Sequence, residues 1–114
     1  MLGPHRIVRH EFPWGEIEWL AGAEVGNSAE LALARLRVAP GRGGETHVHR
    51  NCEESIYVVA GEVECAIGDR HVRLSPGACA VVPRGVAHAI RGVGASPAEL
   101  LLGYSSSARD YALA

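Results

Sequence analysis

From residue 29 to 39 the chain alternates. Leu31, Leu33, Arg35 and Arg37 share one parity, Ala32, Ala34, Leu36 and Val38 the other, and Pro40-Gly41 ends the run. A period of two is the spacing of an extended strand, whose side chains point to opposite faces in turn. Short extended runs recur at 17–20, 46–49, 55–60, 62–67, 71–74, 79–82, 87–91 and 99–105. Turn residues separate them: Ala60-Gly61-Glu62, Gly68-Asp69-Arg70, Ser75-Pro76-Gly77 and Pro83-Arg84-Gly85. Many short strands punctuated by Gly and Pro predict an all-β sandwich or barrel. The step at 68–70 predicts a tight hairpin. With no linker or low-complexity tract, one domain is expected over residues 1–114.

Composition narrows the functional classes. The net charge of −2 is scattered, with no basic stripe for nucleic acid. No run reaches the roughly 18 apolar residues of a membrane span. The first residues, Met1 to Arg6, lack the apolar core of a secretory signal, so a cytoplasmic protein is expected. All 11 basic residues are Arg. The absence of Lys excludes Schiff-base chemistry and lysine-anchored pyridoxal phosphate within the chain. Cys52, Cys65 and Cys79 are odd in number and form no Cys-x-x-Cys pair. They read as buried thiols rather than disulfides or a zinc finger. Cys52, between His49 and Glu54, is a candidate redox-sensitive neighbour of the site below.

The chemistry concentrates at His47-Val48-His49, Glu54 and His88. Two His at i and i+2 of a strand face the same side, and neutral imidazole is the commonest protein metal ligand. A carboxylate and a third His from later strands would complete a four-ligand cage. His5, His10 and His71 lie away from this cluster, in the N-terminal arm and on an outer hairpin, and read as solvated or packed.

The frame around these residues resembles a known family. Gly41, five residues, His47-Val48-His49, four residues, Glu54, six residues and Gly61 match the first motif of the cupin superfamily. Gly77, five residues, Pro83-Arg84-Gly85, two residues and His88 match the second, fifteen residues further on. Where the second motif usually closes with Asn, this chain has Gly92. The resemblance is to small single-domain cupins and implies an antiparallel jelly-roll β-barrel. It implies His47, His49, Glu54 and His88 as ligands of one divalent metal: Fe, Mn, Co, Ni or Zn. Glu53 competes with Glu54, but Glu54 satisfies the usual spacing. The resemblance also implies a homodimer, with the N-terminal arm and strand, residues 1–25, at the interface and Trp14 and Trp19 as core or interface anchors.

Other groups are candidates to line the pocket and serve catalysis. If the Arg35 and Arg37 face points inward, one of them holds a substrate carboxylate; if outward, both are solvated. Tyr57 and Tyr104 are candidate walls or proton donors. Three functional readings follow. The first is a metalloenzyme doing Lewis-acid isomerase or lyase chemistry on a sugar, sugar acid or keto acid. The tail Ser107-Ala108-Arg109-Asp110-Tyr111 is similar to that of small cupins that open unsaturated uronates, which instead carry an amide at the place of Glu54 and an acid near Gly103. The second is an Fe(II)-dependent dioxygenase. The third is a non-catalytic ligand- or metal-binding cupin; such sensory modules usually carry a helix-turn-helix segment, which this sequence lacks.

Overall fold

The computed structural model describes residues 7–114; His5 lies outside them. Eleven strands form in the described residues, with no helix: β1 (Val8–Phe12), β2 (Gly15–Ala21), β3 (Ala32–Val38), β4 (His47–Val48), β5 (Glu54–Ala60), β6 (Glu62–Ile67), β7 (Arg70–Leu74), β8 (Cys79–Val82), β9 (His88–Val93), β10 (Ala98–Tyr104) and β11 (Ala112–Leu113). They make two antiparallel sheets, ordered β1-β2-β3-β10-β5-β8 and β11-β4-β9-β6-β7. The pairings nest: β3 with β10, β4 with β9, β5 with β8, β6 with β7. That nesting is a jelly roll, the all-β double sheet expected from the strand spacing.

Alternation decides what faces in. On β3, Ala32, Ala34, Leu36 and Val38 are buried, while Leu33, Arg35 and Arg37 are exposed. The two sheets share one core, with Ile17, Leu36, Ile56 and Leu100 from one and Val63, Cys65 and Ile90 from the other. Burying such aliphatic side chains stabilises the fold by about 1.5–3 kcal/mol each. The β6–β7 hairpin turns through Gly68 and Asp69, with Ile67 opposite Arg70.

Close approach demands glycine at two positions of the motif frame. At Gly61, φ is +72° and a Cβ would meet the Pro97 carbonyl oxygen at 2.6 Å. Gly92 stands where the second motif usually has Asn. There the strand lies against residues 39–42: its N–H donates to the Arg42 carbonyl at 2.7 Å, and a Cβ would meet the Ala39 oxygen at 2.6 Å. Asn in that backbone position would collide.

β1 and β11 lie outside the runs expected from sequence. β1 is a mostly exposed edge strand with the sequence VRHEF, too polar to announce itself. β11 is two residues long and exists through its pairing with β4.

Candidate metal centre

Four side chains converge at one end of the jelly roll. His47 opens β4, His49 follows it, Glu54 opens β5 and His88 opens β9. Register brings them together: His47 lies opposite His88, and Glu54 lies opposite Tyr104 of β10. One ligand atom from each of His47, His49, Glu54 and His88 falls within 4.8 Å of the others. Glu54 Oε1 is 3.0 Å from His88 Nε2 and 3.1 Å from His49 Nε2. His49, Glu54 and His88 are each at most 2% exposed. Glu53 is exposed, so Glu54 is the carboxylate of the group.

Each ring is held from behind. His47 Nδ1 faces the Glu45 carbonyl at 2.9 Å, His88 Nδ1 the Val86 carbonyl at 2.9 Å, and His49 Nδ1 the Asp110 carbonyl at 2.5 Å. A carbonyl only accepts, so Nδ1 carries the proton and Nε2 turns its lone pair to the cluster. Lone pairs then face the anionic Glu54 oxygen, an arrangement satisfied only by a proton or a cation between them. His49 Nε2 is buried with no hydrogen-bond partner. Three imidazoles and one carboxylate with an orphaned nitrogen fit a single divalent metal ion.

The charge states agree. Burial, followed by the neighbouring His88 and His49, pushes the His47 pKa down to about 4, so this ring is neutral at pH 7. Burial acts to raise the Glu54 pKa, but His49 and His88 override it and hold the carboxyl at about 2. Burial lowers the His88 pKa, and the Glu54 carboxylate outweighs it, leaving a net rise.

The group opens on a cavity of about 740 Å³, lined by His47, Glu54, Tyr104 and Arg109 at its metal end. Arg109 is the cation that sequence reasoning missed as a pocket group. Its guanidinium carbon lies 4.8 Å from the Trp19 ring centre, 5.4 Å from Tyr104 and 5.5 Å from Tyr111. Its Nε is buried without a hydrogen-bond partner. Tyr111 also stacks on His47, 4.8 Å between centres. A zip of hydrogen bonds holds this tail across the site. Asp110 Oδ1 accepts from the Arg50 N–H at 2.6 Å, Asn51 Oδ1 accepts from the Asp110 N–H at 2.9 Å, and Asn51 Nδ2 donates to the Ala108 carbonyl at 2.9 Å. No periodicity marks residues 105–111, and the sequence pointed to them only through the likeness of the 107–111 tail to that of other small cupins.

The other candidates divide. Tyr104 is buried in the cavity wall, and burial raises its pKa well above the usual phenol value, so its hydroxyl stays protonated. Tyr57 is 42% exposed on the outer face of β5. Arg35 and Arg37 also point outward, Arg35 to Glu18 and Arg37 to Glu16 and Glu99. Of the two orientations open from the sequence, the outward one holds, and Arg35 and Arg37 are not pocket groups: the opposite parity of β3 carries the apolar face, and that face takes the core. Gly103 has the outward parity of β10, between inward Leu102 and Tyr104. His10 pairs with Glu24 at the cavity mouth, and His71 is exposed near Glu64. Trp19 is buried in the core, and Trp14 stacks on Phe12 beside the cavity. Cys52 is buried and burial pushes its pKa up, which shields the thiol from oxidation.

Comparison with known proteins agrees with this geometry. The family described as "Cupin domain" matches residues 34–104, and the chain belongs to it. A germin-like protein (subfamily 2 member 2) of Arabidopsis thaliana is 33% identical over 85 residues, 70% of this chain and 39% of that protein. An oxalate decarboxylase of Lactobacillus farciminis, solved as a formate complex, superposes with TM-score 0.85 at 21% identity, over 94% of this chain and 33% of that one. A Bacillus subtilis oxalate decarboxylase, described with Mn(II) centers, gives TM-score 0.83 at 21% identity over 90% of this chain and 29% of that one. The chain therefore spans well under half the length of each, and the structural likenesses speak to the fold.

Proposed function

We propose that this cupin holds one divalent metal ion on His47, His49, Glu54 and His88 and acts as a metalloenzyme on a small oxygenated acid, by Lewis-acid isomerase or lyase chemistry. The observation that carries the reading is Arg109: a half-buried cation that lines the same cavity as the metal group and enters no ion pair among the described residues. A substrate carboxylate in the cavity pairs with its guanidinium through charge-assisted hydrogen bonds. This favours sugar acids and keto acids over neutral sugars. When bound, the metal supplies a positive centre that polarises a chelated carbonyl and stabilises negative charge developing on its oxygen. Tyr104, kept protonated, donates a hydrogen bond to that developing charge. Mn(II) is a natural first metal to try, given the Mn(II) centers named for the Bacillus subtilis neighbour.

Free Cys52, Cys65 and Cys79 fit a cytoplasmic, reducing setting. The mostly exposed edge strand β1 fits a homodimer seam along the N-terminal arm. The test of the central reading is elemental analysis of protein purified without chelator, beside His47→Ala. About one metal per chain, lost in the variant, is expected. Iron as the bound metal would turn the reading to an Fe(II)-dependent dioxygenase. Metal bound equally by both proteins would overturn the ligand assignment. No metal even after adding Mn(II) or Zn(II) would leave a non-catalytic ligand-binding cupin.

A further inference from the structure

The cavity is polar at its two ends and apolar between them. His47, Glu54, Tyr104 and Arg109 gather at the metal group, and His10, Glu24 and Glu45 sit toward the outside. Between them the wall is Phe12, Trp14, Ile17, Leu36, Ile90 and Leu102. Ile17 and Leu36 are register partners on β2 and β3, and Ile90 comes from β9 of the other sheet, so the apolar wall is built by both sheets. None of these side chains offers a hydrogen bond to a ligand, apart from the Trp14 indole. The volume, about 740 Å³, greatly exceeds what a two- or three-carbon acid fills.

Apolar surface is also exposed here. Phe12, Tyr111 and Leu113, 42%, 51% and 62% exposed, all border the same cavity. Phe12 and Trp14 stack face to face, 4.9 Å between centres and 2° between planes. Trp14 lies against the segment leading to His47: a Cβ on Gly44 would meet its Cζ2 at 3.1 Å. The apolar wall and the metal group are thus adjacent parts of one site.

From this segregation we infer that the substrate is an acid with an apolar, ring-sized body: its carboxylate and adjacent oxygen sit between Arg109 and the metal group, and its body lies along the Phe12–Trp14 and Ile17–Leu36–Ile90 wall. A uronate of the same size fits poorly, because its ring hydroxyls would be desolvated against aliphatic carbon without partners. An aryl or branched alkyl body loses nothing there and gains by leaving water.

The inference rests on the proposed metal-and-carboxylate reading, and a matched ligand series separates the two. Zn(II)-loaded protein is titrated by calorimetry with pyruvate, phenylpyruvate and glucuronate. Pyruvate and phenylpyruvate share a head group and differ only in the apolar body. Phenylpyruvate should bind at least about tenfold more tightly than pyruvate, at roughly fourfold per buried methylene-equivalent. Phe12→Ala, on an exposed edge strand away from the core, should remove most of that gain and leave pyruvate unchanged. Equal affinity for pyruvate and phenylpyruvate would overturn the apolar-body inference while leaving the acid-on-metal reading standing. Tightest binding of glucuronate would overturn it too. Binding of none of the three would sink the acid reading and this inference with it.

Discussion

Arg35 and Arg109 are the same side chain in opposite situations. Arg35 projects from the outer face of β3, 43% exposed at its side chain and 3.5 Å from Glu18. Its neighbour Arg37 lies between Glu16 and Glu99. These cations are neutralised and wet. Arg109 hangs from an irregular tail, flanked by three aromatic rings, and among the described residues no carboxylate pairs with it. A paired surface arginine contributes little to stability and nothing to recognition. One that lines a cavity without a counter-charge leaves an ion pair to be completed by a ligand. A charged residue's type says less about its work than whether its partners are already present.

The sharpest way to break this contrast is to remove each cation in turn. Arg109→Leu should weaken phenylpyruvate binding to the Zn(II)-loaded protein by about 10- to 100-fold, the range of a hydrogen bond to a charged group. Arg35→Leu should leave it unchanged. Calorimetry on both variants decides the matter, and equal affinities would mean that Arg109 is no anchor.

A smaller effect is expected one step removed, in the tail that carries Arg109. Asn51→Ala removes two hydrogen bonds of the zip, to the Asp110 N–H and the Ala108 carbonyl, without touching a metal ligand. The Asp110 carbonyl that orients His49 should then wander. Loss of such an outer partner costs roughly 10-fold or more in metal affinity. A competition titration with a Zn(II) chelator reads it directly. Unchanged affinity would show that His49 holds its orientation without the tail.

Much of this was legible in the sequence, and the exceptions share a cause. The strands from β2 to β10 announce themselves because alternation and Gly/Pro turns are local signals. The metal group was legible because its spacing is fixed by strand period and turn length. The parity of β3 was open because Leu31 and Leu33 make the arginine-bearing face half apolar. The buried choice is settled only by packing, where Ala34 and Leu36 meet the other sheet's core. β1, β11 and Arg109 were illegible because each is defined by a partner far along the chain: β1 by β2, β11 by β4, and the tail by residues 50 and 51.

The smallest effect should appear at the wet end of the comparison. Glu18 accepts from Arg9 at 2.8 Å and lies 3.5 Å from Arg35. The Arg9 hydrogen bond lowers its pKa below the ordinary value of 4.5, with burial opposing. A carboxyl depressed in the folded state binds protons more readily when unfolded, so its contribution is complete above pH 4.5 and fades as pH falls through the lower folded value. Glu18→Gln should therefore lower Tm slightly at pH 7, on the order of a few degrees at most, and match the parent as pH approaches 3. Glu54 titrates in the same acid range in both proteins, so the difference between their melting curves isolates Glu18. Phenylpyruvate affinity should not move, because the charge removed neutralises the outer face and not the cavity. A loss of binding in Glu18→Gln would show that the two faces of the sheet are electrostatically coupled, and the division between paired and unpaired arginines would have to be withdrawn.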